Sequence, residues 1–172
     1  MLRDEIETAT SPLTSKPLWG WGRAANMAIF AFGQKRKVPG LHGTQKEVGE
    51  YALHVQCAWR ITRDDQTIVG SGDLYYPSSY RDASEEVPAE FDWDHDPNLR
   101  DKLLLVLFEN AEGGFVVEKV EVGKAGALHL FLSGGLCLDV LPDNSLNQEH
   151  WRLFRPGIDE PHFVFTANRV EN

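Results

Sequence analysis

Polar side chains that could do chemistry lie on one face of a hairpin predicted over residues 49–77. Odd positions from Tyr51 to Ile61 are all apolar and most even positions are polar, the alternation of a strand with one buried face. A tight turn at 64–65 would pair this strand with residues 66–76. In that register the outer face predicts a ligand-binding group made of His54, Gln56, Arg60, Asp73 and Tyr75.

Two interpretations of this group are open. An imidazole near a carboxylate could support general-base chemistry, and the mixture of groups could bind a polar small ligand. The alternative is an ordinary solvent-facing sheet surface, because every one-sided sheet exposes polar side chains. Gly70 and Gly72 have the same two interpretations: they leave room for the large apolar side chains opposite them, such as Trp59, or they allow the close approach of a ligand.

A second candidate group lies at the start of a later strand. Tryptophan and arginine are typical anchors of protein–protein interfaces, so the group predicts an interface. Alternatively, the indole fills the core while its polar neighbours face water. The group consists of Glu149, His150, Trp151 and Arg152.

Motifs for cofactors, metals and catalysis do not hold when their spacing is examined. Residues 20–25 match GxGxxA, but neither a preceding strand nor a later acidic residue is predicted, so a turn with anchored tryptophans is favoured. Residues 92–96 resemble the start of a calcium loop, yet Pro97 and Leu103 replace the required glycine and bidentate acid. An irregular divalent site there stays open. No catalytic residue, metal or cofactor is predicted, and a non-enzymatic protein is favoured.

Composition narrows the classes of partner. The 172 residues include 17 Lys and Arg against 26 Asp and Glu, a net charge of −9. This charge repels phosphate backbones and attracts basic proteins, so a basic protein partner is predicted and nucleic acid is not. The run 35–37 is read as a solvated strand end. Cys57 and Cys137 lie in apolar strand patterns without CxxC spacing, which favours free thiols and a cytoplasmic location. No signal peptide and no membrane-spanning run is expected.

The predicted fold is α+β, a largely antiparallel curved sheet or β-sandwich of about eight strands with one main helix. Residues 1–17 are expected to form a weakly ordered arm, and residues 18–172 a single domain. The main helix is predicted over 97–111, with Asp96 as its N-cap. Residues 77–95 form a long acidic loop, a length that is typical of functional or disordered segments.

The strands at 127–133 and 136–141 have apolar residues of one parity, which a three-residue loop with a bulge would bring to one face. They are Leu128, Leu130, Leu132, Leu136, Leu138 and Val140. This hairpin and the following WRLF strand, within residues 126–154, resemble a pattern in small bacterial proteins of unknown function. Some of those proteins resemble immunity proteins, which bind and neutralise toxin domains. The resemblance implies a protein-binding module and assigns no catalytic residue. The alternative is a small-molecule binder or hydrolase-like enzyme that uses the polar face of the 50–76 hairpin.

Overall fold

The computed structural model describes residues 1–82, 84–167 and 169–171. Two α-helices occur in this part of the chain, α1 (Leu2–Thr10) and α2 (Leu99–Glu109). The strands are β1 Pro17–Ala24, β2 Met27–Phe32, β3 Arg36–Pro39, β4 Gln45–Val48, β5 Tyr51–Val55, β6 Ala58–Arg63, β7 Gln66–Gly70, β8 Phe115–Val122, β9 Leu128–Leu132, β10 Leu136–Leu141, β11 Glu149–Phe154, β12 Phe163–Thr166 and β13 Val170–Glu171.

Eleven strands form one antiparallel sheet in the order β13-β12-β11-β5-β2-β1-β8-β9-β10-β6-β7, and β3 pairs with β4 in a separate ribbon. The α+β class and the antiparallel arrangement are therefore confirmed, while the number of strands exceeds the predicted eight. The ribbon of β3 and β4 is among the elements beyond the predicted strands. Its side chains are mostly polar and exposed, so it has no apolar alternation to reveal it.

The long sheet curls until its two halves face each other. The halves are joined through only two β1–β8 residue pairs, and the rings of Phe30 in β2 and Trp59 in β6 meet across the interior at 5.2 Å. Trp151 in β11 donates a hydrogen bond from Nε1 to the carbonyl of Gly126, 3.0 Å away in the β8–β9 turn. One hydrophobic core fills the space between the halves.

The alternation from Tyr51 to Ile61 correctly predicted which side chains face the core, since Leu53, Val55 and Trp59 are buried. It did not predict the strand partners. The predicted strand is interrupted between β5 and β6. At this point the N–H groups of Gln56 and Cys57 both donate to the carbonyl of His150, at 2.8 and 3.2 Å. As a result β5 pairs with β2 and β11, whereas β6 pairs with β10 and β7.

The predicted register holds only next to the turn. Arg63 pairs with Gln66 as expected, but a bulge at Ile68 shifts the ladder, so that Arg60 rather than Trp59 lies opposite Gly70. Residues 71–75, predicted as strand, form a 3-10 helix. Asp73 stabilises the start of this 3-10 helix, because its carboxylate accepts the N–H of Gly70 at 2.8 Å. This hydrogen bond gives the backbone an alternative to strand pairing.

The leucine hairpin agrees with its prediction. Leu132 pairs with Leu136 across the three residues 133–135, and the leucines of β9 and β10 share the buried face. Gly134 and Gly135 both have positive φ angles, 77° and 71°. This short connection places two adjacent residues in the left-handed backbone conformation. Glycine adopts that conformation without steric cost, which explains the glycine pair.

Both helices differ from their predictions. Residues 1–17, expected to be a weakly ordered arm, contain α1, and Ile6 and Leu13 are buried in the core. Helix α2 begins at Leu99 and not at 97. Asn98 is the N-cap, since its side-chain oxygen accepts the N–H of Asp101 at 2.9 Å, whereas Asp96 bonds the N–H of Asp92.

Within the described residues, no helix combines the length and apolar character needed to cross a membrane.

Candidate functional site

The five predicted ligand-binding residues do not share one face. His54 lies in β5 and Gln56 directly follows it, whereas Arg60 lies in β6, on the other half of the sheet. Asp73 and Tyr75 belong to the 3-10 helix, where the ring of Tyr75 contacts that of Trp93 at 5.5 Å. The predicted cross-strand pairing of these residues was wrong, because it required residues 71–76 to continue β7.

Arg60 instead takes part in a cross-strand group centred on the buried Asp139. The Asp139 carboxylate accepts from Arg60 Nε at 2.9 Å, meets His129 Nδ1 at 2.7 Å and accepts from Cys137 Sγ at 3.3 Å. Burial and the charge of Asp139 raise the pKa of Cys137 to about 12. The thiol is therefore protonated at neutral pH and unsuited to nucleophilic catalysis, which needs the thiolate.

The two predicted groups meet between β5 and β11, where His54 pairs with Arg152. Glu149 accepts from Arg152 Nε at 2.7 Å. Arg152 Nη1 lies 3.2 Å from Nδ1 of His162. The neighbouring residues His150 and Trp151 are 1% and 0% exposed, so the predicted interface group is divided between the surface and the interior. We name the outer set His54, Gln56, Glu149, Arg152 and His162 the polar cluster.

Sequence reasoning missed the cleft beside this cluster. Its floor is the outer face of four adjacent strands, and its side chains fall into two rows. The first row is Gly20, Ala31, Ala52 and Phe154, and the second is Gly22, Ile29, His54 and Arg152. Glycine and alanine project little from the sheet, so the first row leaves a trough along the floor.

A bulge in β1 completes one end of this floor. The register shifts between Leu18 and Gly20, so that Trp19 and Gly20 together oppose Ala31. In such a bulge the inserted residue is re-aimed relative to the regular ladder, and Trp19 lies in the cleft wall. The prediction of a turn here was therefore wrong, since Trp19 and Trp21 belong to a strand.

The β3–β4 ribbon forms the opposite wall, with Val38, Lys46 and Val48 lining it together with Pro156. Arg36 fixes the ribbon to the body of the protein by donating from Nη2 to the carbonyl of Pro156 at 2.6 Å. The enclosed space has a volume of about 480 Å³, within the range of small-molecule sites. We name this space the outer cleft.

The environment of His54 in the outer cleft keeps its ring neutral. Burial, and next the positive charge of Arg152, lower the pKa of His54 to about 4. The ring packs edge-on against Phe154 at 4.7 Å. A neutral imidazole offers one hydrogen-bond donor and one acceptor at pH 7.

This pKa has a consequence for stability. The unfolded chain, with a histidine pKa near 6.5, binds the proton more tightly than the folded chain, so the free energy of unfolding falls as the pH drops from about 6.5 towards 4. We expect His54 to account for a loss on the order of 2–3 kcal/mol over that range. Urea denaturation at several pH values between 7 and 4.5 measures it, and His54→Gln should show a flatter dependence than the wild type.

The control is His42→Asn, which removes an exposed histidine from a left-handed position that asparagine tolerates. This variant should keep the wild-type pH dependence. Parallel curves for the wild type and His54→Gln would show that His54 is not held neutral.

A second feature of the surface is the predicted acidic loop, which has a defined course in the described residues on either side of Ala83. Arg23 ties it to the body through Asp94 at 2.7 Å and Asp101 at 2.8 Å. Ser78 N–H donates to the carbonyl of Pro97 at 2.8 Å. A groove of about 500 Å³ lies between this loop and α2.

The loop and the groove together present exposed carboxylates and apolar side chains. Leu105 and Val106 of α2 are 49% and 51% exposed. In the loop, the rings of Tyr76 and Tyr80 contact each other with their centroids 4.6 Å apart. We name residues 75–98 and the exposed side of α2 the acidic face. Its exposed carboxylates are those of Asp82, Glu85, Glu86, Glu90, Asp92, Asp96 and Glu109.

Nothing in residues 1–82, 84–167 and 169–171 groups three or more histidine, cysteine or acidic side chains in a way that could hold a metal ion. At residues 92–96 the carboxylate of Asp92 accepts the N–H of Asp94 at 3.0 Å and contacts His95 Nδ1 at 2.8 Å. The Asp92 carboxylate raises the pKa of His95 through this hydrogen bond.

No protein-family model, no curated protein and no solved structure matches this chain.

Proposed function

We propose that the protein is a non-enzymatic binding module whose acidic face takes a basic protein partner. The observation that supports this most is the fixed acidic loop, anchored by Arg23 to Asp94 and Asp101. A loop already held in place loses less conformational freedom on binding than a mobile loop, and this lowers the cost of association.

Charge supports the class of partner. The seven exposed carboxylates of the acidic face accompany three exposed basic residues, Arg81, His95 and Lys102, and the whole chain has a net charge of −9. Complementary charge speeds the encounter of two proteins and disfavours partners of the wrong sign. A partner with a lysine- and arginine-rich surface fits both effects.

Exposed apolar area supplies the other component of a binding surface. Tyr75 is 46% exposed, close to the values for Leu105 and Val106. Aromatic side chains carry much of the binding energy at interfaces because they bury large areas with few rotatable bonds. An apolar centre with a charged rim is the usual arrangement of such surfaces.

Charge reversal within the acidic face tests the proposal. Glu86 and Glu90 are exposed and we choose them because their side chains do not hold the loop together in the described structure. We expect Glu86→Lys with Glu90→Lys to weaken partner binding at least tenfold, since two attractions become repulsions. The immobilised protein is incubated with lysate of its source cells, and a retained protein is purified and its affinity measured by calorimetry.

The matched control is Glu118→Lys with Asp159→Lys, which changes net charge by the same amount at exposed positions outside the acidic face. The control variant should bind the partner with the wild-type affinity. Higher salt should weaken partner binding by the wild type and by the control variant. Equal affinity of the partner for the wild type and for the Glu86→Lys, Glu90→Lys variant would contradict the proposal. The absence of any retained protein would contradict it as well.

The likeness of residues 126–154 to immunity-like bacterial proteins supports the same kind of function, because immunity proteins act by binding. A toxin domain with a basic surface is the partner that this resemblance implies. The β9–β10 leucines that carry the resemblance are buried, so the proposed contact surface is the acidic face and not the hairpin itself.

A further inference from the structure

We infer that the outer cleft is a binding site for a small planar aromatic molecule with one anionic group. This site is separate from the acidic face, and the proposal does not depend on a protein partner. The shape of the cleft, its lining and the charges at its rim support the inference in turn.

The floor of the outer cleft suits a flat ring. Gly20, Ala31 and Ala52 form one continuous row across three strands, so a planar group could lie against the sheet along it. The cleft volume of about 480 Å³ is enough for a ligand of one or two fused rings.

The walls are aromatic and aliphatic. Trp19 and Phe154 rise at opposite ends of the glycine–alanine row, and Val38 and Pro156 face the floor from the ribbon side. Rings of this kind favour offset-stacked or edge-to-face contact with another aromatic group. An aliphatic ligand of equal volume would lose this contribution.

One polar group in the wall lacks a hydrogen-bond partner, and a second polar group lies in the floor. Trp19 Nε1 is buried and has no hydrogen-bond partner among the described residues. His54 lines the same cleft as a neutral ring. A buried donor without a partner costs free energy unless a ligand or water accepts from it.

The ribbon beside the cleft is basic although the chain as a whole is acidic, and Lys46 lines the cleft itself. The ribbon and the residue before it carry four basic side chains against one acid, Glu47, which lies 3.6 Å from Lys35 Nζ. Lys35 also stands over the ring of Trp19 at 4.6 Å. An anionic group at the rim would be attracted here. The four basic residues are Lys35, Arg36, Lys37 and Lys46.

The probe pair 2-naphthoate and 2-naphthamide tests the inference, because the two molecules share a ring system and differ in charge. We expect 2-naphthoate to bind with a Kd of about 1 mM or tighter. In a titration followed by amide and indole NMR resonances, it should shift the Trp19 indole signal together with residues of β2 and β5. We expect 2-naphthamide to shift the same signals with weaker affinity.

Two variants separate the parts of the inference. Ala52→Leu fills the trough and should weaken both probes at least tenfold. Lys46→Glu lies at an exposed position of the wall and cannot disturb the core, so it should weaken 2-naphthoate about tenfold while leaving 2-naphthamide within about twofold. Lys124→Glu, an exposed lysine in the β8–β9 turn, is the control and should change neither affinity.

The site would be overturned if neither probe changed the NMR signals of the cleft residues. It would also be overturned if these changes persisted in an Ala52→Leu variant that has a native spectrum. Lys46→Glu tests it independently if Ala52→Leu does not fold. Equal affinities for the two probes in the wild type would overturn the anionic part.

Discussion

Replacing Gly126 with alanine should be among the most damaging single changes in this protein. Gly126 has a φ angle of 75° and is fully enclosed, and a Cβ at this position would overlap the ring of Phe165. The left-handed conformation costs an alanine about 1–2 kcal/mol, and forcing the ring aside costs about 1–3 kcal/mol more. We therefore expect Gly126→Ala to lower the free energy of unfolding by about 3 kcal/mol or more. Urea denaturation measures this loss through the shift of the unfolding midpoint.

Gly134→Ala is a matched control for this change. Gly134 has almost the same φ angle, 77°, but no atom lies within 4 Å of a Cβ built there. This variant should lose about 1 kcal/mol, the cost of the backbone conformation alone. Equal losses for the two variants would show that the contact with Phe165 is not important, and that the two sheet halves do not approach as closely as the structure has them.

Trp151→Ala should have an effect of the same order or larger. Trp151 is completely buried and its indole stacks on Phe163 at 5.7 Å and on Phe165 at 5.4 Å. Removing a buried aromatic side chain from a core typically costs about 3–5 kcal/mol. Chemical denaturation should show this loss, and partner binding by the folded fraction should be unchanged, since the side chain does not reach the surface.

Trp151→Phe separates packing from hydrogen bonding. It keeps a ring in the core but leaves the carbonyl of Gly126 without its 3.0 Å donor, which costs about 1–3 kcal/mol. A stable Trp151→Ala variant with impaired binding would identify Trp151 as an interface anchor, the alternative that the sequence also allowed.

The position of Trp151 also explains how one strand serves two purposes. Its neighbour Arg152 points outward into the polar cluster, paired with Glu149 and next to His54. Since successive side chains of a strand alternate between its faces, β11 gives one set of residues to the core and another to the surface. The grouping of residues 149–152 in the sequence therefore does not correspond to one grouping in space.

The elements that depend on local patterns were predictable from the sequence. Strand β10 has the predicted bounds, since its apolar residues need only a buried face and not a particular partner. The leucine hairpin was predictable because a three-residue loop between leucines of one parity leaves only one face for them. The side chains that β5 and β6 bury were predictable for the same reason.

Tertiary structure decided the pairing and therefore the sites. The break between β5 and β6 depends on the carbonyl of His150, which is far away in the sequence, so residues 51–55 gained partners that no local pattern specifies. The outer cleft is formed largely by the small side chains of Gly20, Ala31 and Ala52 on three strands. A sequence records which residues are small, but whether small residues become neighbours depends on register across the whole sheet, which is set by long-range contacts and core packing.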